Sequence, residues 1–165
     1  MNYLVSELFD LIEKEKDQAK KDQLLRNHNN TVVRTMLYLN YNPDVKFHLP
    51  EGAPPYKKDK DKPIGYQETT LNLEMRRFYI WCRPDQSLSA TKREILFINM
   101  LEGLHHTEAD LLCLIKDKKM EEMYPSISEE MVRRVFVDLL PPAQPKPEPV
   151  KKTRAKKSQT STVAA

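Results

Sequence analysis

Apolar residues recur along most of this chain at the three- and four-residue spacing of a helix that buries one stripe. Leu4, Val5, Leu8, Phe9 and Ile12 give the first such stripe, with Asn2 available as a cap. A charged run, "EKEKDQAKKDQ", leads into Leu24 and Leu25 and suits a second helix with a narrow apolar face or a solvated hinge. Asn29 and Asn30 can cap a third helix, "TVVRTMLYLNY", in which Val33, Met36 and Leu37 share a face before Pro43 interrupts. "TTLNLEMRRFYIWC" is ambiguous, because Leu71 and Leu73 alternate as in a strand while Leu71, Met75, Phe78 and Cys82 fit a helix; helix is the reading adopted. Ser89 opens "ATKREILFINMLEG", which Gly103 closes. Thr107 is expected to cap "EADLLCLIKDKK", with acids in its first turn and lysines in its last. Ser128 caps "EEMVRRVFVDLL", where Met131, Val132, Val135, Phe136 and Leu139 form one stripe.

These segments predict an all-α fold, a compact bundle of about seven helices over residues 1–140, with no internal repeat and no clear β-structure. The 50–66 segment, "PEGAPPYKKDKDKPIG" and the tyrosine after it, has few core-forming groups and reads as an exposed loop. Pro141 and Pro142 end the domain. The remainder, "PAQPKPEPVKKTRAKKSQTSTVAA", has no aromatic side chain and almost no large apolar one, so residues 141–165 are expected to be disordered alone.

Charge sharpens this division. The chain of 165 residues carries 27 Lys and Arg against 24 Asp and Glu, a net charge of +3. Residues 141–165 hold six bases and one acid, net +5, which leaves 21 bases and 23 acids, net −2, in residues 1–140. The folded part is therefore not basic, and the excess lies in the tail. No run of 18 apolar residues occurs, and the N-terminus has acids among its apolar residues instead of a basic leader. A soluble, cytoplasmic protein is expected, without a membrane partner. Cys82 and Cys113 lie far apart in apolar helical patterns and read as two buried thiols.

Candidate chemistry is sparse. His105 and His106 are adjacent and lack further ligands at metal-binding spacing, and the three glycines are too isolated for a phosphate loop. Neither a metal, a cofactor nor a small-molecule substrate is expected. Tyr38, Tyr41, Phe47 and Tyr56 alternate with Lys46, Lys57 and Lys58, which could stack exposed bases, although core packing accounts for the first three and Asp59 and Asp61 partly neutralise the loop lysines. Lys116, Lys118 and Lys119 crowd a helix end, where cations are favoured by about 0.3–1 kcal/mol whatever the protein does.

The order of the segments adds a resemblance. "QLLRNHNNTVVRTMLYLNYNPDVKFHLP", with "LFDLIEK" before it, resembles the start of phage ATP-dependent DNA ligases: a leucine pair, an asparagine-rich junction, an apolar helix ending at tyrosine, and an aromatic-x-Leu-Pro close. "ATKREILFINMLEG", "EADLLCLIKDKKM" and "SISEEMVRRVFVDLLPP" are similar to the last three helices of the ligase N-terminal domain, so the likeness spans about residues 4 to 141. The Pro50–Gly65 loop matches poorly, and the chain also resembles small free-standing proteins of T-even-like phages, including those of cyanobacteria. The resemblance implies a helical domain that grips duplex DNA by sugar and phosphate without reading sequence. Carried over by position, it assigns phosphate to Lys116, Lys118 and Lys119, to the helix start at Ser126 and Ser128, and more weakly to Arg133 and Arg134. The tail cations Lys151, Lys152, Arg154, Lys156 and Lys157 would assist. Two departures stand against simple transfer: the glycine-containing turn of the ligases reads "MEEMYPSIS" here, with Glu121 and Glu122, and no Lys-x-Asp-Gly adenylation motif occurs, so the chain is no ligase. The expectation is a non-enzymatic accessory protein that binds duplex DNA. The alternatives are an interaction or virion-associated module that docks a phage replication or virion protein, and an enzyme with an unrecognised site.

Overall fold

A computed structural model describes residues 3–83 and 87–143. The tail expected to be disordered, and with it Lys151, Lys152, Arg154, Lys156 and Lys157, lies outside the described residues, as does Asn2. The regular secondary structure of the described part is all helical, with eight α-helices and two single 3₁₀ turns. The helices are α1 Val5–Lys14, α2 Gln18–Asn27, α3 Thr31–Tyr41, α4 Leu71–Glu74, α5 Tyr79–Cys82, α6 Ala90–Gly103, α7 His106–Lys116 and α8 Glu129–Val135. The count exceeds seven because the Leu71–Cys82 segment is broken: a 3₁₀ turn over Met75–Arg77 separates α4 from α5.

Local chemistry sets several boundaries. Asp17, Asn30, Ser89 and Ser128 each accept a hydrogen bond from a backbone N–H in the first turn of α2, α3, α6 and α8. α1 starts differently: its cap position is Leu4, whose N–H donates to the Glu7 carboxylate at 2.8 Å. Thr107 is not the cap of α7. That position belongs to His105, whose Nδ1 accepts from the Thr107 N–H. α8 is shorter than its apolar stripe, ending at Val135 before Phe136 and Leu139.

α7 is the central element. It packs against α1, α3 and α6, while α2 packs on α1 and α8. Helices surrounded in this way bury more than one stripe, and α7 accordingly buries Ala109, Leu111, Leu112, Cys113 and Ile115 together with two charged residues, Glu108 and Lys116. An aromatic cluster fills one end of the core, with Phe47, Phe78, Trp81 and Phe97 in successive edge-to-face contacts at centroid distances of 5.6–6.5 Å. The Trp81 indole N–H donates to the Arg93 carbonyl at 2.9 Å, joining α5 to the first turn of α6.

Residues 42–70 carry no helix. The proline-rich segment is largely exposed, as its composition predicts, and it is also tied down: the Gly52 N–H donates to Asp117, the Lys57 N–H to Glu102, and the Tyr56 hydroxyl to Asp110 at 2.6 Å. Gly52 and Gly65 turn the chain with φ of +89° and +98°, a region that disfavours any side chain. Gly103 does a different job. A Cβ there would lie 3.1 Å from the Thr69 methyl, and its carbonyl accepts the Thr69 N–H at 3.0 Å.

Candidate functional site

The lysine-bearing turn closes α7 with a Schellman motif. The Lys119 N–H donates to the Leu114 carbonyl at 2.8 Å and the Lys118 N–H to the Ile115 carbonyl at 3.0 Å. Lys118 holds the left-handed position, φ +59°, where glycine is the usual occupant. Its ammonium reaches back to donate to the carbonyls of Leu39 and Asn42, each at 2.8 Å. Leu39 lies in the last turn of α3 and Asn42 caps it, so Lys118 satisfies carbonyls that the helix itself cannot bond. Burial depresses the Lys118 pKa below the usual lysine value.

Lys116 is buried, at 6 % exposure, and donates from Nζ to the Pro50 carbonyl at 2.7 Å while pairing with Asp117. Lys119 is exposed and pairs with Glu51 at 2.9 Å. Around it Glu121 and Glu122 are exposed, so the surface of this turn is acidic. The expectation of a cationic cluster open to phosphate is thus corrected for Lys116 and Lys118, whose charged ends point inward.

The helix start is closed in the same manner. Glu13 of α1 places one carboxylate oxygen 3.1 Å from the Ser126 N–H and the other 3.0 Å from the Ser126 hydroxyl. Lys21 donates to that hydroxyl at 2.6 Å. An internal carboxylate therefore occupies the place proposed for a phosphate. Ser128 uses its hydroxyl as the α8 cap, accepting from the Met131 N–H at 3.3 Å. Arg133 pairs with Glu129 at 2.8 Å and donates to the Pro141 carbonyl at 2.6 Å. Arg134 grips Asp22 with two bonds, 2.6 and 2.8 Å, and holds that carboxyl below the usual carboxylate range. All seven folded-part residues assigned by the ligase-like resemblance are bonded within the chain.

The other candidates are also structural. His105 bridges the 62–107 region, with Nε2 3.2 Å from the Lys62 carbonyl and Nδ1 2.7 Å from the Thr107 hydroxyl. The carbonyl requires a donor, so the neutral ring carries its proton on Nε2. Desolvation, and then the His106 ring, lower its pKa. Among the described residues no group of three or more His, Cys, Asp and Glu is placed to hold a metal. Burial raises both cysteine thiols to about 11, which keeps them protonated and unreactive at neutral pH. Phe47 is in the core, Tyr38, Tyr41 and Tyr56 are packed against it, and burial raises the phenol pKa of Tyr41 and Tyr56. The base-stacking arrangement is absent from those four residues.

A cleft of about 250 Å³ lies between the Leu49–Pro55 stretch and α6, with Glu94, Phe97 and Lys116 in its lining. Its one cation is already bonded to Pro50, and no nucleophile or paired base faces it. No helix among the described residues is long and apolar enough to cross a membrane.

Pattern reading missed three features. Glu108 of α7 is buried and accepts the N–H groups of Val5 at 3.3 Å and Leu71 at 3.1 Å, tying α1 and α4 to the central helix. Burial raises its pKa, partly opposed by those two bonds. Glu13 was unremarkable in a charged run. The third feature is an outward set of Leu73, Arg76, Arg77, Tyr79 and Arg83, all exposed; nothing in "LEMRRFYIWCR" by itself marks these positions as the outer ones.

Fold and site together define an all-helical protein in which the charged groups at 116–134 expected to meet a ligand are instead bonded within the chain. The chain belongs to a family of unknown function, DUF6433, whose pattern matches residues 8–122. Neither a curated protein nor a solved structure matches it.

Proposed function

We propose that this chain is a non-enzymatic phage accessory protein whose folded part works as a protein-docking module, its partner a replication or virion protein in the host cytoplasm. The observation that carries the reading is the inward use of Lys116 and Lys118. Burying an ammonium is tolerated when it is hydrogen-bonded, and withdrawing it toward a ligand would leave the Pro50, Leu39 and Asn42 carbonyls without their donor. The net −2 of residues 1–140 also opposes the approach of a duplex.

A second reading is sequence-independent binding of duplex DNA through the sugar-phosphate backbone, and the net +5 of residues 141–165 favours it. In that case Lys151, Lys152, Arg154, Lys156 and Lys157 are the phosphate contacts. Five such contacts would give a log–log salt slope of about −4.5.

A gel shift at low salt separates the two. The full chain is compared with the full-length variant in which those five tail residues are glutamine. The docking reading expects no duplex binding by the tail-neutral variant, and no further change on adding Lys119→Glu. Duplex binding by the tail-neutral variant that retains a steep salt slope overturns it.

A further inference from the structure

The helical segment Leu71–Cys82 has two unlike sides. Its inner side carries Leu71, Phe78 and Trp81, all buried, and Trp81 and Phe78 are locked into the aromatic cluster. Its outer side carries Leu73, 61 % exposed, Tyr79, 50 % exposed, and the exposed arginines Arg76, Arg77 and Arg83. Leu73, Arg76, Arg77, Tyr79 and Arg83 form a ribbon of exposed side chains that runs over α4, the 3₁₀ turn and α5 to its C-cap. From Leu73 to Arg83, at about 1.5 Å per residue, the ribbon is about 15 Å long.

Its charge runs against the rest of the folded part. From Leu71 to Arg83 there are three bases and one acid, net +2, while the rest of residues 1–140 holds 18 bases and 22 acids, net −4. The acid, Glu74, pairs with Arg77 at 3.1 Å and also accepts from the Thr69 hydroxyl at 2.9 Å. Arg76 and Arg83 have no ion pair among the described residues. In this they differ from Lys116, Lys119, Arg133 and Arg134, each of which pairs with a carboxylate. Fork-shaped guanidinium groups beside an exposed tyrosine and leucine form the composition that protein interfaces concentrate, and each arginine can take a carboxylate by two parallel bonds.

From this arrangement we infer that the ribbon is the docking surface for an acidic segment of a partner protein, its carboxylates meeting Arg76, Arg77 and Arg83 and an apolar side chain seated between Leu73 and Tyr79. Size favours such a segment over a duplex. Screening confines an exposed charge to about 8 Å at physiological salt. A short peptide laid on the ribbon meets chiefly the ribbon's charges, whereas a duplex extends beyond it and meets the field of a folded part of net −2. The buried side anchors the ribbon without help from its outer side chains, so they can be changed with little cost to the fold.

This inference rests on the docking reading and names the site and partner class for it. The probe is a fluorescein-labelled peptide of repeating Glu-Glu-Leu, followed by anisotropy at low and at physiological salt. The protein is the full-length tail-neutral variant, so that tail lysines cannot capture the peptide. Binding is expected to weaken at least tenfold in the Arg76→Glu/Arg83→Glu double variant and at least threefold in Tyr79→Ser. It is expected to be unchanged in Lys92→Glu, an exposed cation on α6. The unaltered emission of Trp81, the chain's one tryptophan, verifies that each variant is folded. No binding by the parent, or equal binding by the double variant, overturns the inference and leaves the docking reading standing. A labelled duplex that binds the tail-neutral variant and is lost with Arg76 and Arg83 overturns both.

Discussion

Lys118 offers a quantitative test of how the lysine turn is built. Two opposing contributions meet at this residue. A non-glycine residue in the left-handed region costs about 1 kcal/mol, and Lys118 sits there at φ +59°. Against that, its ammonium donates to the Leu39 and Asn42 carbonyls; bonds from a charged donor contribute about 1.5–3 kcal/mol each, reduced here by the cost of burying the charge. Lys118→Ala removes both bonds and keeps the strained backbone, so a loss of about 2–3 kcal/mol is expected. Lys118→Gly removes the same bonds but takes the left-handed conformation without strain. It should recover about 1 kcal/mol relative to alanine. The predicted order of stability is wild type, then glycine, then alanine. Urea unfolding followed through Trp81, which is fully buried, measures all three, with an unchanged slope showing that the unfolding transition is the same. Equal midpoints for glycine and alanine would refute the strain argument. A midpoint for either variant as high as wild type would refute the bridging role of the ammonium and reopen Lys118 as a ligand-facing cation.

Three more outcomes follow from the same geometry. His105 has a lowered pKa in the folded state, so the unfolded chain binds more protons below about pH 6.5, the ordinary histidine value, and stability is lost as pH falls through that window; His105→Asn should remove this component from urea midpoints collected between pH 7 and 5, and an undiminished pH dependence would contradict it. Glu108 has the opposite sign: its raised pKa makes its contribution fullest below the ordinary glutamate value of 4.5 and lost as pH rises through the elevated folded value. Glu108→Gln should therefore cost about 1–3 kcal/mol for the unmet N–H and lose less against wild type at pH 7 than at pH 4, a trend that a denaturation series would reverse if the carboxylate is held without desolvation. Arg134→Gln breaks the solvent-exposed pair with Asp22 and should leave the urea midpoint nearly unchanged; a large drop in the same assay would mean that the α2–α8 contact depends on it.

The helices were legible because their causes are local. Spacing of three and four places Leu8, Phe9 and Ile12 on one side of α1, and Asn30, Ser89 and Ser128 cap the helices that follow them by bonds spanning three residues. The cap of α7 was misassigned by two positions because an imidazole nitrogen can accept as well as a threonine hydroxyl, and composition does not rank them. The break inside Leu71–Cys82 was invisible because the apolar period continues across the 3₁₀ turn.

Which charged groups are available to a ligand was decided only by the tertiary structure. The partners of Lys116, Lys118, Arg134 and Ser126 lie 66, 79, 112 and 113 residues away, at Pro50, Leu39, Asp22 and Glu13. Nothing in the local pattern of a basic helix end distinguishes an ammonium that faces water from one that faces a carbonyl of another helix. Sequence determined that this protein is helical and where several of its helices begin; packing determined that Lys116 and Lys118 face inward and that the inconspicuous arginines at 76 and 83 do not, because a charge's environment is set by whatever the fold brings beside it.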